Sequence, residues 1–232
     1  MFMWIDPIYL IFVGPAILIA LWAQIKVKAA FATYSRVRSS SGITGAEAAA
    51  KVLYEADIRD VKVERVGGFL SDHYDPRSKT LRLSPRVYDS NSLAAVGVAA
   101  HEAGHAIQHA HNYGPLGLRS ALVPTASIGS WLAFPLVILG ILMHVAHLAL
   151  LGLVVFCAVV VFQLVTLPVE FNASSRAKAM LMNTGVIAGR EEERGVSAVL
   201  TAAGLTYVAA ALTAVMQLLY FAYILGLFGR RR

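Results

Sequence analysis

Two histidines four residues apart, with a glutamate beside the first, give this sequence its clearest chemical signal. The run His101-Glu102-Ala103-Gly104-His105 has the H-E-x-x-H pattern. On a helix, residues i and i+4 share a face, so both imidazoles can turn a nitrogen toward one metal ion. Glu102 lies beside that point and can take a proton from the attacking water. The pattern predicts one Zn²⁺ with His101 and His105 as ligands and Glu102 as general base.

A catalytic zinc ion usually has three protein ligands and leaves a fourth position to water, so a partner outside the motif is needed. Glu170 is one candidate, because it heads a helix-forming segment directly after an apolar stretch. His111 is another, six residues after His105. Sites of that second kind need a glycine at the intervening bend, where this chain has Gln108, and His109 lies a full turn too far along the helix axis. The residues alone leave Glu170 and His111 both open.

The motif requires a helix, and the flanking sequence predicts one over 92–111. Asn91 or Ser92 can cap its start, an apolar run leads into the motif, and Asn112-Tyr113-Gly114-Pro115 ends it. The alternative interpretation of the same helix is a structural histidine pair with no metal.

Composition places this helix in a membrane protein. The 232 residues are 57% hydrophobic and only 15% charged, and the mean hydropathy is +0.63, which is too apolar for an ordinary soluble domain. The net charge of +6 is spread over several segments instead of one soluble face, so no nucleic-acid partner is expected. Cys157 is the single cysteine, which excludes an intrachain disulfide.

Four apolar stretches are long enough to cross a bilayer. The first is unlike a cleaved signal peptide, because its basic residues follow the apolar run. The second and third are joined by a tight turn near His144, and we place His144 and His147 at an interface and not in a metal site. The predicted spans are 4–25, 123–143, 147–167 and 205–228.

Between the spans, residues 26–120 and 168–204 predict a small α+β region. Thr44 and Glu47 form a capping box for a helix over 46–56. Two strands are predicted, at 61–66 and 80–84, with a dense turn at 71–78 between them, and 189–195 is predicted to be a charged surface turn. The second strand could offer an edge to an extended peptide, or the hairpin could merely cover the motif helix.

Basic residues indicate the orientation of this region. Four spans put 26–120 and 168–204 on the same side of the membrane. The positive-inside rule favours a cytoplasmic location for that side, although the terminal Arg230-Arg231-Arg232 argues the other way. The basic residues near span ends on the shared side are Lys26, Lys28, Arg36, Arg38, Arg119, Arg176, Lys178, Arg190 and Arg194.

Several separated motifs carry a family resemblance. The segment His101-Glu102-Ala103-Gly104-His105-Ala106-Ile107-Gln108 is preceded by Ser71-Asp72-His73-Tyr74-Asp75-Pro76 and followed by Pro168-Val169-Glu170-Phe171. In this order the motifs resemble the YugP-type family of membrane zinc metallopeptidases, over nearly the whole chain from the first span to 205–210. The resemblance implies a gluzincin-like site with zinc on His101, His105 and Glu170 and with Glu102 as base. The sequence departs from the family at Asn172, where the pattern usually has aspartate. If this position orients a ligand histidine, asparagine can still accept a hydrogen bond there but brings no charge.

These observations predict a mainly α membrane protein, with four transmembrane helices and a small α+β, zincin-like catalytic region at the membrane surface. The expected activity is zinc-dependent endopeptidase cleavage of membrane or membrane-proximal proteins. The expected partners are the lipid bilayer and the peptide substrate. A donor for the developing oxyanion is also expected. The candidates are His73, Tyr74, Tyr113 and Arg176.

Three other functions fit parts of the sequence. A metal-binding membrane scaffold would keep the site without catalysis. A site-2-type intramembrane protease would need an aspartate in a later span, and no aspartate occurs there. A transporter or channel is disfavoured, because the spans carry almost no ionisable groups to form a pathway.

Overall fold

The computed structural model describes residues 6–68, 71–227 and 229 of the chain. The chain forms two compact units, each built from several segments. The bundle unit comprises Met1–Ala23, Leu118–Leu167 and Thr206–Arg232, and the motif unit comprises Gln24–Gly117 and Pro168–Leu205. In chain order the elements are helices α1 (Pro7–Tyr34) and α2 (Gly45–Glu55), strands β1 (Lys62–Arg65), β2 (His73–Asp75) and β3 (Thr80–Leu83), and helices α3 (Pro85–Tyr88), α4 (Leu93–Ala110), α5 (Gly114–Leu142), α6 (Ala146–Asn183) and α7 (Gly189–Ile224).

Four of the described helices, α1, α5, α6 and α7, are long and apolar enough to cross a membrane. These four helices, together with the small sheet that the described residues form, confirm the prediction of a mainly α membrane protein. The turn between α5 and α6 falls at His144, whose φ is +56°, as predicted. Residues 4–5 and 228 of the predicted first and last spans, and the terminal arginines 230–232, lie outside the described residues.

These helices extend beyond the predicted spans. Helix α6 continues through Pro168, and α7 begins at Gly189, so the prediction that 189–195 is a surface turn is wrong. Acidic residues in the first turn of α7 complement the positive end of the helix dipole. Glu192 also accepts a hydrogen bond from the Ala188 N–H at 2.8 Å. The charged residues of 189–195, which the sequence predicts to form a loop, therefore form the first turns of helix α7.

The bundle unit is held by aromatic contacts. Phe134, Phe156 and Phe221 pack edge to face with ring centroids 5.1 to 6.0 Å apart. The Tyr220 hydroxyl donates a hydrogen bond to Asp6 at 2.9 Å. Large apolar side chains remain uncovered, Trp131 being 80% exposed, which suits a surface facing lipid.

The sheet of the motif unit has the strand order β1-β3-β2. Strand β1 runs parallel to β3, and β2 pairs antiparallel with it, with Tyr74 opposite Leu81. The strand predicted at 80–84 is therefore central and paired on both sides, and the prediction that it offers an open edge is wrong. Strand β2 is one edge of the sheet. It lies within 71–78, where the sequence predicts only a turn, so that prediction is wrong for these three residues.

The motif helix α4 is the centre of the motif unit's core. Its start is capped by Ser92, whose hydroxyl accepts from the Ala95 N–H at 3.2 Å, and the predicted capping box at Thr44 and Glu47 is also present. Most of α4 is buried, in a cluster with side chains of α2 and β3. Gly104 lies against α6, because a Cβ there would stand 2.6 Å from the Ala173 carbonyl oxygen. Glycine thus permits the close approach that brings the two helices together.

Candidate metal centre

Helices α4 and α6 bring three metal-binding side chains together within the motif unit. The ligand atoms of His101, His105 and Glu170 all lie within 4.8 Å of one another. Oε2 of Glu170 is 3.2 Å from Nε2 of His101 and 3.6 Å from Nε2 of His105. Two ligands of a tetrahedral zinc ion, each about 2.1 Å from the metal, lie about 3.4 Å apart. The two separations from Glu170 therefore match those of a zinc site.

Gln108 fixes which nitrogen of His105 faces Glu170. Its amide Nε2 donates to the Val169 carbonyl at 2.8 Å and to Oδ1 of Asn172 at 3.0 Å. Its Oε1, which can only accept, lies 3.0 Å from Nδ1 of His105. Nδ1 is therefore the protonated nitrogen. In the neutral ring, Nε2 is a bare acceptor that points toward the Glu170 carboxylate.

Two acceptors that face each other at 3.6 Å require a cation between them. Burial lowers the pKa of His105, but the hydrogen bond to Glu170 and the charges of Glu102 and Glu170 outweigh burial and raise it. The site thus favours positive charge, as a proton or as a metal ion. Two imidazoles and one carboxylate are a donor set that zinc takes in hydrolases.

Ser174 contacts the ring nitrogen of the other histidine that faces away from Glu170. Its hydroxyl lies 3.1 Å from Nδ1 of His101. Ser174 follows Glu170 by one helical turn on α6, so both side chains lie on the face toward α4. Gln108 and Ser174 were both missed in the sequence. The one available signal for Gln108 was an uncharged polar side chain within a buried stretch of the motif helix.

Glu102 is buried with 9% exposure. Its carboxylate has no hydrogen-bond or ion-pair partner in the described part of the chain.

The competing ligand His111 and three of the four oxyanion candidates, His73, Tyr74 and Arg176, form hydrogen bonds outside the three-residue cluster. His111 is exposed at the C-terminal end of α4, 3.3 Å from Nη1 of Arg176. The Tyr74 hydroxyl lies 2.8 Å from Nδ1 of His109. The exposed His73 has its Nδ1 2.7 Å from the Ser71 carbonyl. The structure thus groups Glu170, not His111, with the motif histidines.

Asn172 lies one contact further from the histidines than predicted. Its Oδ1 accepts from Gln108 and, at 2.7 Å, from Nε of Arg176. The position expected to orient a ligand histidine therefore reaches His105 through Gln108.

The chain is similar to known proteins over most of its length. Residues 9–226 match a family model described as "Putative neutral zinc metallopeptidase". Over 206 residues the chain is 50% identical to a protein of Bacillus subtilis (strain 168) named "Putative membrane protease YugP". That similarity covers 89% of this chain and 91% of the relative. No solved structure matches.

Proposed function

Since the chain belongs to this family of neutral zinc metallopeptidases, we propose that it is a zinc-dependent endopeptidase with a gluzincin-like site. His101, His105 and Glu170 hold the single zinc ion, and Glu102 is the general base. The observation that carries the proposal is the convergence of two imidazole nitrogens and one carboxylate oxygen at zinc-ligand separations.

The chain's own residues have distinct tasks. When bound, zinc lowers the pKa of its water and polarises a substrate carbonyl. Glu102 takes the proton of the attacking water and delivers it to the leaving amine. Gln108 and Ser174 keep the Nδ1 atoms of the two histidines engaged, so that each Nε2 stays directed at the metal.

The substrate class follows from location. Four helices suited to a bilayer support cleavage of membrane or membrane-proximal proteins. Helix α4, which carries the motif, is not among these four, so hydrolysis at the membrane surface is favoured over hydrolysis inside the bilayer. The basic residues of 26–120 and 168–204 support a cytoplasmic location for the site.

Two substitutions test the proposal. We expect Glu102→Gln to bind one zinc ion per chain, as wild type does, and to lose peptide cleavage by at least about a hundredfold, because the base is gone. Zinc content by elemental analysis and cleavage of a casein substrate in detergent measure these two effects.

The second variant, Glu170→Ala, is expected to lose both zinc and cleavage. If this variant retained zinc, the third ligand would be another residue, such as His111. A metal-binding scaffold would be indicated if wild-type protein loaded with zinc cleaved nothing, and if Glu102→Gln preserved the function of the protein in cells.

A further inference from the structure

The motif unit contains a pocket beside the C-terminal half of helix α4. Its volume is about 360 Å³, within the range of small-molecule sites. Ile58 and Ala106 line the pocket and are buried, so they form its floor. Ala110, the last residue of α4, also lines it and is exposed, so it lies at the rim. The pocket is therefore apolar at its base and open to solvent.

The pocket lies on the face of α4 that carries Glu102, the proposed general base. Ala106 and His109, which both line the pocket, follow Glu102 by four and seven residues. Residues at i, i+4 and i+7 share one face of a helix. Ala106 lies about 6 Å beyond Glu102 along the helix axis, a distance that about two residues of an extended peptide span. A peptide whose scissile bond lies beside Glu102 can therefore place a nearby side chain in the pocket.

The polar groups that line the pocket are paired with one another. The Tyr74 hydroxyl lies 2.8 Å from Nδ1 of His109, and burial raises the pKa of Tyr74 to about 12, so this hydroxyl is neutral. At the rim, the ammonium group of Lys79 donates to the Asp60 carboxylate. The pocket thus offers no unpaired charge to a charged ligand, and its apolar floor favours an apolar one.

We propose that this pocket holds a large apolar side chain of the substrate, such as leucine, phenylalanine or methionine, from a residue within three positions of the cleaved bond. The inference rests on the proposed function, because the pocket is a substrate subsite only if Glu102 acts on peptides. A leucine side chain leaves water for the apolar floor, whereas alanine leaves most of the pocket unfilled. Burial of the larger side chain makes leucine at least about tenfold better than alanine at this position.

Cleavage-site mapping tests the subsite. The zinc-loaded full chain digests casein in detergent, and mass spectrometry of the products gives the residues on either side of each cut. We expect large apolar residues to be enriched at one position within three residues of the cut. Two synthetic peptides that differ only by leucine or alanine at that position then give the ratio of kcat/KM, which we expect to be at least about tenfold.

Three variants distinguish the pocket from other causes of a preference. Ala110→Trp fills the pocket from its exposed rim, and we expect it to abolish the leucine preference. Ala50→Trp, the same change at an exposed position of α2 outside the pocket, retains the preference. Lys79→Gln leaves the Asp60 carboxylate at the rim without its cation. We expect this variant to raise kcat/KM a few-fold for a peptide with lysine at the mapped position, as a partly exposed ion pair would.

The outcomes separate this inference from the proposed function. Cleavage by the wild type with no enrichment near the cut, or with small or charged residues enriched instead, would overturn the subsite and leave the peptidase proposal standing. A leucine preference that Ala110→Trp leaves unchanged would do the same. Zinc-loaded wild type that cleaves neither casein nor the peptides would overturn both. The wild-type profile requires no variant, so it decides the question even if Ala110→Trp does not fold.

Discussion

Gln108 connects His105, a proposed zinc ligand, to helix α6, which carries the proposed ligand Glu170. It accepts from His105 and donates to Val169 and Asn172 on α6. We expect Gln108→Leu to weaken zinc binding by about 10- to 100-fold, because the imidazole loses the acceptor that orients it. Competition with a chromophoric zinc chelator measures the affinity.

The control for this variant is Gln163→Leu, which makes the same change in the bundle unit. If Gln108→Leu bound zinc as tightly as wild type while losing thermal stability, Gln108 would be a packing residue only.

Asn172 allows a second prediction at the residue scale. Both of its described side-chain partners, Gln108 and Arg176, donate to the same oxygen. An aspartate would meet these donors equally well and would add a charge-assisted bond to Arg176. We expect Asn172→Asp to keep zinc affinity equal to wild type or raise it a few-fold.

Asn172→Ala should lower the zinc affinity instead, because it removes the acceptor of a buried Gln108 N–H and of the half-buried Nε of Arg176. Equilibrium zinc titrations of both variants check the pair of predictions. A marked loss of zinc in Asn172→Asp would show that a neutral side chain is required at this position.

The sequence predicted the grouping of some residues in the site and missed others. His101, Glu102 and His105 follow from helical periodicity, which operates within a single turn. Glu170 could be named only as one of two candidates, because its position depends on how α6 packs against α4. The contact of Ser174 with His101 could not be predicted. A serine on a polar helix face is common, and whether it binds a metal ligand depends on which helix packs opposite it.

At the scale of elements, Gly104 is a contact point between α4 and α6. A Cβ at this position would lie 2.6 Å from the Ala173 backbone oxygen, which cannot rotate away. We expect Gly104→Ala to destabilise the protein by about 1–3 kcal/mol, the usual effect of overpacking. Thermal unfolding in detergent provides the measurement.

Gly97→Ala is the matched control on the same helix. Its Cβ would meet only the Val196 side chain at 3.3 Å, and alanine favours the helix over glycine by up to about 1 kcal/mol. We expect its stability to be unchanged or slightly raised. Equal losses in both variants would argue against the contact with α6.

Element boundaries were harder to predict than element types, for identifiable reasons. Strand β2 has only three residues, and its pairing with β3 is not visible in a turn-rich sequence. Pro168 usually marks a helix end, but the long helix α6 continues through it. Glu192 looks like part of a charged loop, yet it accepts from the Ala188 backbone at the start of α7.

On the scale of the whole molecule, the motif unit is assembled from segments far apart in the chain. His105 and Glu170 meet although two predicted membrane spans, 123–143 and 147–167, separate them in sequence. A carboxylate from beyond these spans can complete the site only after both have folded. Zinc binding should therefore report on correct assembly of the full chain.

The orientation of the chain gives the last prediction. Residues 26–120 and 168–204 carry most of the basic residues near span ends, so we expect them in the cytoplasm, with the α5–α6 turn outside. In a Cys157→Ser background, a membrane-impermeant maleimide should label His144→Cys in intact cells. It should label Arg77→Cys, at an exposed position of the motif unit, only after permeabilisation. The reverse pattern would put the proposed peptidase site outside the cell, and substrates would then have to be sought among extracellular or periplasmic segments.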